Sequence, residues 1–397
     1  MAVKRVKKKK EVMSAARLQW VIDQMEQQSP GLTFEGLCVL ASETTWCRLF
    51  HMSPGMVRLR IIADNLRTES ARPEPVTEKN LVKRIYANPR QPFCVSYGAG
   101  VDSTALLIWL VRMYNSHPKK RPEYRPDIIT FADTGNEKKE TYRYLPVMQE
   151  YLKRNGFPPI VVVRYKPERV LRGMYHTLEQ NCLANKTLPS LAFGFKKCSV
   201  KWKLVPQNKY RRKQKACQDA WAAGRAVIVA IGYDAGPKDA KRRWDITDDD
   251  RYTYWYPLIE MGWDRDRCIE EIRKEGLPGF ETDVGGEWVE SGGVPVKSAC
   301  FFCPSIRPEE VVAYADTPHG QDYLRAIVRM EANAKPKLTK VEGLWRNGVK
   351  GNRGGVAKPG SISQFIRENN LLDKRRKPLP IVGQFEFAGA EECAGCF

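Results

Sequence analysis

A short turn after residue 97 combines residue types that are suited to binding phosphate. The apolar run FCVSY is followed by a turn that contains Gly98 and Gly100, and then by the apolar helix-like segment STALLIWLVRMY. If both glycines adopt positive φ, successive N–H groups point into one concavity, and the helix adds its positive N-terminal end. Ser103 or Thr104 could then donate a hydroxyl hydrogen to a phosphate oxygen, while Asp102 could hold Mg²⁺. A capped helix after a glycine turn would give the same pattern.

A second set of residues, the cysteines, could hold a metal. Cys300 and Cys303 form a C-x-x-C pair followed by proline, and two thiolates at this spacing can bind one metal centre. Cys198 would add a third ligand, and the fourth could be one of three others: Cys182, Cys393 or Cys396. The two C-x-x-C pairs could instead form one four-thiolate zinc site. Buried free thiols are the remaining alternative, because cysteine is among the most buried residue types.

The elements around these residues predict how they are positioned. Apolar strand-like segments, FCVSYG, DIITFAD, IVVVRY and AVIVAIGYD, are separated by helix-like segments. Buried strands with intervening helices predict an α/β fold with a doubly wound parallel sheet. Ligands of such sheets bind beyond the carboxyl ends of the strands, so we expect the glycine turn and the Asp133-Thr134 segment to lie at the same edge.

The rest of the chain predicts a modular organisation, because its length exceeds that of a typical single domain. Residues 1–12 have the composition of a basic disordered arm. Residues 13–70 have helical periodicity, which fits either a helix-turn-helix-like domain or a three-helix packing domain. Residues 71–90 are expected to be a linker, residues 91–330 to form the α/β domain, and residues 331–397 to form an irregular basic C-terminal region that ends in C-x-x-C.

The charge of the chain points to an anionic partner. The formal net charge is +20, and the basic residues gather in several runs. DNA or RNA is the partner that this charge favours, although a basic surface that serves only solubility would have the same composition. With eleven cysteines and no export signal, the chain is expected to keep its thiols reduced in the cytoplasm. The apolar runs are too short and interrupted to cross a membrane.

Four separated segments between Phe93 and Arg307 resemble the phosphoadenosine phosphosulfate (PAPS) reductase-like family. The first is the turn from Ser96 to Ser103, in which Asp102 replaces the Lys of an ordinary P-loop. The others are FADTGNEKKETYRYL, KKCSVKWKLVPQNKY, and the pair AIGYDAGPKDAKRR and YWYPLIEMGWDRDRCIEEIRKEGLP. This family belongs to the N-type ATP pyrophosphatases, and the similarity is to members near the DNA phosphorothioation branch. It implies an adenine nucleotide alpha hydrolase-like, Rossmann-like fold.

The resemblance also implies roles for individual residues. By similarity, ATP would contact the turn and segments near it, namely Ser96, Gly98, Gly100, Ser103, Thr104, Asp133, Thr134 and Gly232. Catalytic roles would fall to Asp102, Ser103, Cys198, Lys203 and Arg242, with Mg²⁺ near Asp102. For Asp133-Thr134, an Asx turn that caps a helix is the alternative. The family's Gly-x-Arg-x-x-Glu-Ser segment is GYDAGPK here, beginning at Gly232, so the usual Arg and Glu are missing and Arg242 or Arg243 would substitute.

The activity that the resemblance implies is cleavage of ATP to AMP and pyrophosphate, which activates a nucleic acid for modification by sulfur. Relatives in the phosphorothioation branch carry a four-cysteine [4Fe-4S] cluster, which here would use Cys198, Cys300 and Cys303 with a fourth thiol. Zn²⁺ at the same residues is the alternative, and the chemistry would need a sulfur donor protein. Two rival functions remain. One is a PAPS reductase that forms sulfite through a thiol such as Cys393, and the other is a non-catalytic nucleic-acid-binding accessory protein on the same fold.

Overall fold

The computed structural model describes residues 75–87, 90–116, 122–166, 176–243, 248–278, 293–295, 297–346 and 359–372. The chain divides into two units, residues 1–74 and residues 75–397, and all described residues belong to the second unit. The predicted basic arm, the predicted N-terminal helical domain and the terminal C-x-x-C pair of Cys393 and Cys396 therefore lie outside the described residues. In the part of the chain that is described, no helix combines the length and the apolarity of a membrane span.

A parallel five-stranded sheet forms the centre of the second unit. Its strands are β1 Phe93–Tyr97, β2 Ile128–Asp133, β3 Ile160–Arg164, β4 Val227–Ile231 and β5 Tyr252–Trp255. They pair in the order β3-β2-β1-β4-β5, and every neighbouring pair is parallel. This arrangement is α/β and is consistent with a Rossmann-like fold. The strand order reverses between β1 and β4, which is where open α/β sheets bind their ligands.

Helices connect the strands and extend beyond the sheet. Before and within the sheet region they are α1 Glu78–Ile85, α2 Val101–Ser116, α3 Lys139–Arg154, α4 Leu178–Asn185, α5 Lys197–Ser199, α6 Val205–Arg211, α7 Lys215–Ala222, α8 Pro237–Arg242, α9 Pro257–Glu260 and α10 Arg265–Glu275. After it come α11 Pro308–Ala313, α12 Pro318–Ala334 and α13 Ile362–Glu368. A π-helical turn, Val200–Leu204, joins α5 to α6. Single 3₁₀ turns cover Pro122–Tyr124, Ser190–Phe193, Tyr314–Asp316 and Lys335–Lys337.

The strand side chains alternate between the two faces of the sheet, as the period of two requires. Val95 and Tyr97 of β1 belong to a core that they share with residues of α2, α3 and α10. Cys94 belongs to the core on the opposite face, with Val229 of β4 and Cys217 of α7. Because helices cover both faces, nearly every strand residue is apolar, and this explains why the strands could be recognised from composition.

A second hydrophobic core lies outside the sheet and contains the cysteine segment. Cys300, Phe302 and Trp202 are buried there together with residues of α11, α12 and α13. The carboxylate of Glu331 in α12 joins the later chain to this core, because it accepts hydrogen bonds from the Leu344 N at 2.7 Å and from the N atoms and the hydroxyl that begin α13. The expected irregular region after residue 331 is thus packed where the structure describes it, at 331–346 and 359–372.

Two local expectations require correction. The predicted linker 71–90 contains α1, whose Leu81 and Ile85 are buried in the core of the sheet. The proline and charged residues of this stretch led to the prediction of a linker. The helix is short and amphipathic, and it is stabilised by its packing against the core. The sequence also provided no separate prediction of β5, whose four residues YTYW form the edge of the sheet beside β4. A four-residue strand offers too few residues for a clear alternating pattern.

Candidate functional site

The predicted phosphate-binding turn joins β1 to α2, and its amides converge on one atom. The N–H groups of Gly98 and Gly100 both donate to the Ser103 Oγ, with N···O distances of 3.1 Å and 3.3 Å. The Ser103 hydroxyl donates in turn to the Gly100 carbonyl at 3.1 Å. Two amides aimed at one oxygen, at the start of a helix, form the kind of concavity that binds anions.

Neither glycine of this turn has positive φ, contrary to the prediction, and Gly100 acts through close approach instead. The positive φ in the turn, 53°, belongs to Ala99, which is completely buried. At Gly100, an added Cβ would lie 3.0 Å from the Ser298 Oγ. A side chain at Gly100 would therefore press against the segment that leads to Cys300, so this glycine lets the turn and the cysteine segment meet.

Gly232, which follows β4, also has a steric reason to be glycine. An added Cβ would lie 2.6 Å from the Ser103 Cα and 2.7 Å from the Ser103 N, distances that real side chains do not tolerate. Both are backbone atoms of the first turn of α2, so neither could move aside without shifting the loop. The prediction placed Gly232 near the nucleotide, and the structure brings it against the phosphate-binding turn.

The two hydroxyl residues at the start of α2 face different surroundings. Thr104 is completely buried, and its Oγ1 lies 3.2 Å from the hydroxyl oxygen of Tyr97 inside the core. Ser103 keeps a small exposed fraction and lies inside the turn. Of the two phosphate donors that the sequence offered, Ser103 is the one that the fold places at the turn.

Asp102 lies beside two other carboxylates that the sequence did not single out. Ligand oxygens of Asp102, Asp234 and Asp239 all lie within 4.8 Å of one another. Arg265 Nη1 donates to both oxygens of Asp102 at 2.9 Å, and the Asp234 Oδ1 accepts from the Gly236 N at 2.8 Å. Carboxylate oxygens gathered next to a phosphate-binding turn are the ligand type that Mg²⁺ prefers.

The electrostatics of this carboxylate group follow from its composition. Burial, opposed by the guanidinium of Arg265 and assisted by the charges of Asp234 and Asp239, raises the pKa of Asp102 to about 6. A carboxyl group with a raised pKa at the end of a parallel sheet is a common feature of functional sites. A cation bound among the three carboxylates would favour the ionised form of all of them.

Arg242, predicted to be catalytic, is held next to the carboxylate group. Its Nη1 forms an ion pair with Asp239 at 3.0 Å. Its guanidinium carbon lies 4.3 Å from the ring centroid of Tyr233, and the Tyr233 ring stacks on that of Tyr256 with 5.7 Å between centroids. The cation–π contact and the ion pair fix the orientation of Arg242 at the carboxyl ends of β4 and β5.

A buried cation that the sequence did not point to lies beneath the turn. Arg211 at the end of α6 has no exposed surface, and its Nη2 donates to the Ser96 Oγ at 2.7 Å. Its other hydrogen-bond acceptors are the neutral groups of Thr130, Gln207 and Asn208, and its Nε has no partner among the described residues. A buried guanidinium without a carboxylate in hydrogen-bond contact leaves positive charge uncompensated under the first residue of the turn.

Asp133, predicted to contact adenosine, is surrounded by donors from the protein itself. Its carboxylate is almost completely buried and accepts from the Gly135 N and the Tyr142 hydroxyl, both at 2.7 Å. Arg164 at the end of β3 completes the set, with its Nε and Nη2 both 2.8 Å from Oδ2. These contacts match the Asx-turn alternative, in which Asp133 shapes the segment after β2.

Thr134 and Lys203 connect this segment to the cysteines. The Thr134 Oγ1 lies 3.1 Å from the Cys300 Sγ and 3.3 Å from the Glu137 Oε1. The Lys203 Nζ forms an ion pair with the same Glu137 oxygen at 3.0 Å. Burial disfavours the charged form of Lys203, but the carboxylate of Glu137 and the neighbouring Cys300 outweigh it, and the pKa of the ammonium is raised above its ordinary value. Lys203 therefore remains a cation beside the Cys300 sulfur.

Four cysteines lie in or against the second core. Cys182 and Cys300 are buried in it, while Cys198 and Cys303 pack against it. Burial, with the nearby Cys198, raises the pKa of the Cys182 thiol to about 12, and burial raises the pKa of the Cys300 thiol well above its usual range. Among the described residues, Asp102, Asp234 and Asp239 are the one group of metal-binding type whose ligand atoms lie within 4.8 Å, so no three of these sulfurs approach that closely.

The fold thus sorts the predicted site residues into two neighbouring groups. The first, at the ends of β1 and β4, comprises Ser96, Gly98, Gly100, Asp102, Ser103, Gly232 and Arg242. The second comprises Thr134, Lys203, Cys300 and Cys303, with Asp133 supporting it. Sequence reasoning missed Asp234, Asp239, Arg265 and Arg211. The sequence did contain a signal for Asp234, because this residue stands at the position of the Arg in the Gly-x-Arg-x-x-Glu-Ser segment of the PAPS reductase-like family.

No protein-family model matches the chain, and no curated protein matches it.

Proposed function

We propose that this protein is an ATP pyrophosphatase-type enzyme of the PAPS reductase-like family that transfers the adenylyl group of ATP to an acceptor. The observation that carries the proposal is the turn whose two amides converge beside a group of three carboxylates. An anion-binding turn and a cation-binding group at adjacent positions suit a nucleotide–Mg²⁺ complex. The position at the reversal of strand order supports the same assignment.

The phosphates of ATP would bind to the turn, where a phosphate oxygen would replace the Ser103 Oγ as the acceptor for the amides of Gly98 and Gly100. The uncompensated charge of Arg211 supports this, because a buried cation beneath the turn favours an anion above it. Since the Ser96 Oγ accepts from Arg211, its own hydroxyl hydrogen is directed elsewhere and can be donated to a phosphate oxygen. Arg242 would balance negative charge that develops on the phosphates.

Mg²⁺ would be held by oxygens of Asp102, Asp234 and Asp239, and it would supply charge neutralisation for the departing pyrophosphate. The acceptor oxygen then attacks the α-phosphorus, and the bond from that phosphorus to the bridging oxygen of pyrophosphate breaks. The products of this step are pyrophosphate and an acceptor that carries AMP. Sulfur at the oxidation level of sulfide would next displace AMP, so the displacement itself needs no electrons.

We propose a [4Fe-4S] cluster at the cysteines in preference to a single Zn²⁺. One tetrahedral Zn²⁺ requires its sulfur ligands to lie about 4 Å apart, and no three described cysteine sulfurs do so. In a cluster, each cysteine binds a different iron, so wider separations are suitable. We propose Cys182, Cys198, Cys300 and Cys303 as the ligands, because all four belong to one core. Bound there, the cluster would supply sulfide, and Lys203 would stabilise its negative charge.

The experiment that tests the proposal is pyrophosphate release from ATP and Mg²⁺ by anaerobically purified protein, with and without DNA or RNA. We expect release that rises with one of these polymers and that falls at least about 100-fold in Asp102→Asn, because the metal site loses charge. Asp316→Asn is the matched control, since Asp316 is an exposed carboxylate in the second core region. It should release pyrophosphate at the rate of the unchanged protein.

The same experiment separates the rival functions. Formation of sulfite from PAPS with thioredoxin, and no release from ATP, would show a reductase. Nucleic-acid binding with neither reaction would show an accessory protein. The cluster is confirmed if the unchanged protein and the buried-thiol control Cys217→Ser contain iron and sulfide and Cys300→Ser does not. Zinc in the unchanged protein, without iron and sulfide, would overturn that part of the proposal.

A further inference from the structure

An unusual group of exposed apolar side chains stands on the segment that carries the candidate cysteine and lysine. Phe195 is 60% exposed, Val200 is 50% exposed and Val205 is 44% exposed. Three of the five most exposed large hydrophobic side chains in the described part of the chain therefore fall between residues 195 and 205. Apolar side chains gathered at the surface in this way mark interaction sites more often than scattered ones do.

In the sequence, the charged residues around these side chains are all basic. Between Glu179 and Asp219 the sequence contains ten Lys or Arg residues and no Asp or Glu. Two of these lysines lie against aromatic rings: the Lys197 Nζ is 5.9 Å from the ring centroid of Phe195, and the Lys201 Nζ is 4.9 Å from that of Tyr165. Interleaved lysines and aromatic rings form the surface type that follows a nucleic-acid backbone while bases stack.

The other side of the same segment faces the second core, which contains the candidate cysteine site. Trp202 is buried in the second core, and Lys203 reaches the buried Glu137. Cys198 packs against this core and its N donates to the Ser190 Oγ at 2.7 Å. A π-helical turn, a form that occurs often at functional sites, separates the two sides. A molecule bound on the outer side would therefore lie about one helix diameter, about 10 Å, from the cysteine core.

We propose that a lysine–phenylalanine surface, consisting of Phe195, Lys196, Lys197, Val200 and Lys201, binds a single-stranded nucleic acid. Charge complementarity selects a polyanion, and the exposed phenylalanine ring selects unpaired bases. In a duplex the bases are already stacked on each other, so a protruding ring gains little there. The inference rests on the proposed function in that the bound strand would be the acceptor of the adenylyl group.

The test measures binding without ATP, by fluorescence anisotropy with labelled oligothymidylate, oligouridylate and a DNA duplex of equal length. In Phe195→Ala we expect affinity for the single strand to fall by about 5-fold to 150-fold, the range for removal of one stacking partner. Phe195→Trp should retain affinity, whereas Phe195→Leu, which keeps apolar surface but no aromatic face, should not. The preferred oligonucleotide shows whether the strand is DNA or RNA.

The lysines provide a second readout. If each of Lys197 and Lys201 neutralises one phosphate, then Lys197→Gln or Lys201→Gln should reduce the steepness of log affinity against log salt for single strands by about 0.7. Tyr86→Ala and Lys340→Gln are the matched controls, because both side chains are exposed elsewhere on the molecule. Thermal melting checks that each variant remains folded.

Three results would overturn this surface: no single-strand binding by the unchanged protein, unchanged binding by Phe195→Ala, or equal reductions in affinity for single strand and duplex. A different measurement, pyrophosphate release, would show that the proposed function is wrong. A protein that binds strands through Phe195 but releases no pyrophosphate would keep the surface and lose the enzyme, and the converse result would keep the enzyme and lose the surface.

Discussion

At the ends of β1 and β4, three neighbouring carboxylates are accompanied by two guanidinium groups, whereas at the ends of β2 and β3 each buried carboxylate has a cation of its own. Among Asp102, Asp234 and Asp239, the first pairs with Arg265 and the third with Arg242. On the other side, Asp133 pairs with Arg164 and Glu137 with Lys203. The first group has three carboxylates and two guanidinium groups that pair with Asp102 and Asp239, whereas each carboxylate of the second group pairs with its own cation.

We interpret this difference as a division of one sheet edge between ligand binding and structural support. A surplus of carboxylates costs stability until a cation arrives, so it persists where a ligand supplies the cation. A balanced set of buried pairs holds its own geometry, and here it orients Thr134 and Lys203 next to Cys300. We therefore expect changes in the first group to alter ligand binding and changes in the second group to alter stability.

The largest effect is expected for Gly232→Ala. Its Cβ would lie 2.6 Å from the Ser103 Cα, so the phosphate-binding turn must shift. A displacement of this size should lower ATP-dependent pyrophosphate release by about 100-fold or more. Gly224→Ala is the control, since Gly224 has a φ of +68° and open space around it. It should cost about 1–2 kcal/mol of unfolding free energy and leave ATP affinity unchanged; equal ATP affinities in the two variants would contradict the contact.

Asp133→Asn tests the second group. Removal of the carboxylate charge leaves Arg164 without its ion pair, and we expect the free energy of unfolding in denaturant to fall by about 2 kcal/mol. Folded Asp133→Asn protein should bind ATP with nearly the affinity of the unchanged protein. A large decrease in ATP affinity with unchanged stability would instead support the predicted contact of Asp133 with adenosine.

Arg211→Met tests whether the buried cation serves the nucleotide. Methionine fills a similar volume without charge, so ATP affinity should fall by about tenfold, and stability should fall by about 1–3 kcal/mol because buried acceptors lose their donor. Adenosine, which carries no phosphate, should bind equally to both proteins in the same calorimetric titration. If the affinities for ATP and adenosine decrease together, Arg211 acts only through packing.

The smallest effect concerns pH. Because the pKa of Asp102 is raised to about 6, protons compete with Mg²⁺ below that pH, and Mg²⁺ affinity should increase as the pH rises through about 6. Arg265 lowers this pKa, so Arg265→Gln should move the midpoint to higher pH; Asp234 raises it, so Asp234→Asn should move the midpoint to lower pH. Calorimetric Mg²⁺ titrations at several pH values measure the midpoint in both variants. If the midpoint moved to higher pH in both, the charge of Asp234 would not raise the pKa of Asp102.

Local patterns in the sequence were sufficient for the parts of the molecule that depend on local order. The segments predicted as strands before Gly98, Thr134, Lys166 and Asp234 are β1 to β4, because parallel strands buried on both faces must be nearly all apolar. The turn after β1 was predicted for its glycines, and it does bring two amides together. The prediction of positive φ at both glycines was wrong, because the residue with positive φ is Ala99, and Gly100 is needed for its close approach to the distant Ser298.

The carboxylate group and the buried guanidinium could be seen only in three dimensions. Asp234 and Arg265 meet Asp102 across more than a hundred residues of chain, because parallel strands bring their carboxyl ends to one edge of the sheet. Arg211 meets Ser96 in the same way. Sequence spacing carries no signal for such pairs. The sequence by itself determined the α/β class, the position of the glycine turn after β1 and the basic charge, since these depend on composition and local periodicity. Tertiary structure alone decided which charges remain unbalanced, because that depends on which side chains the fold brings within a few ångströms of each other.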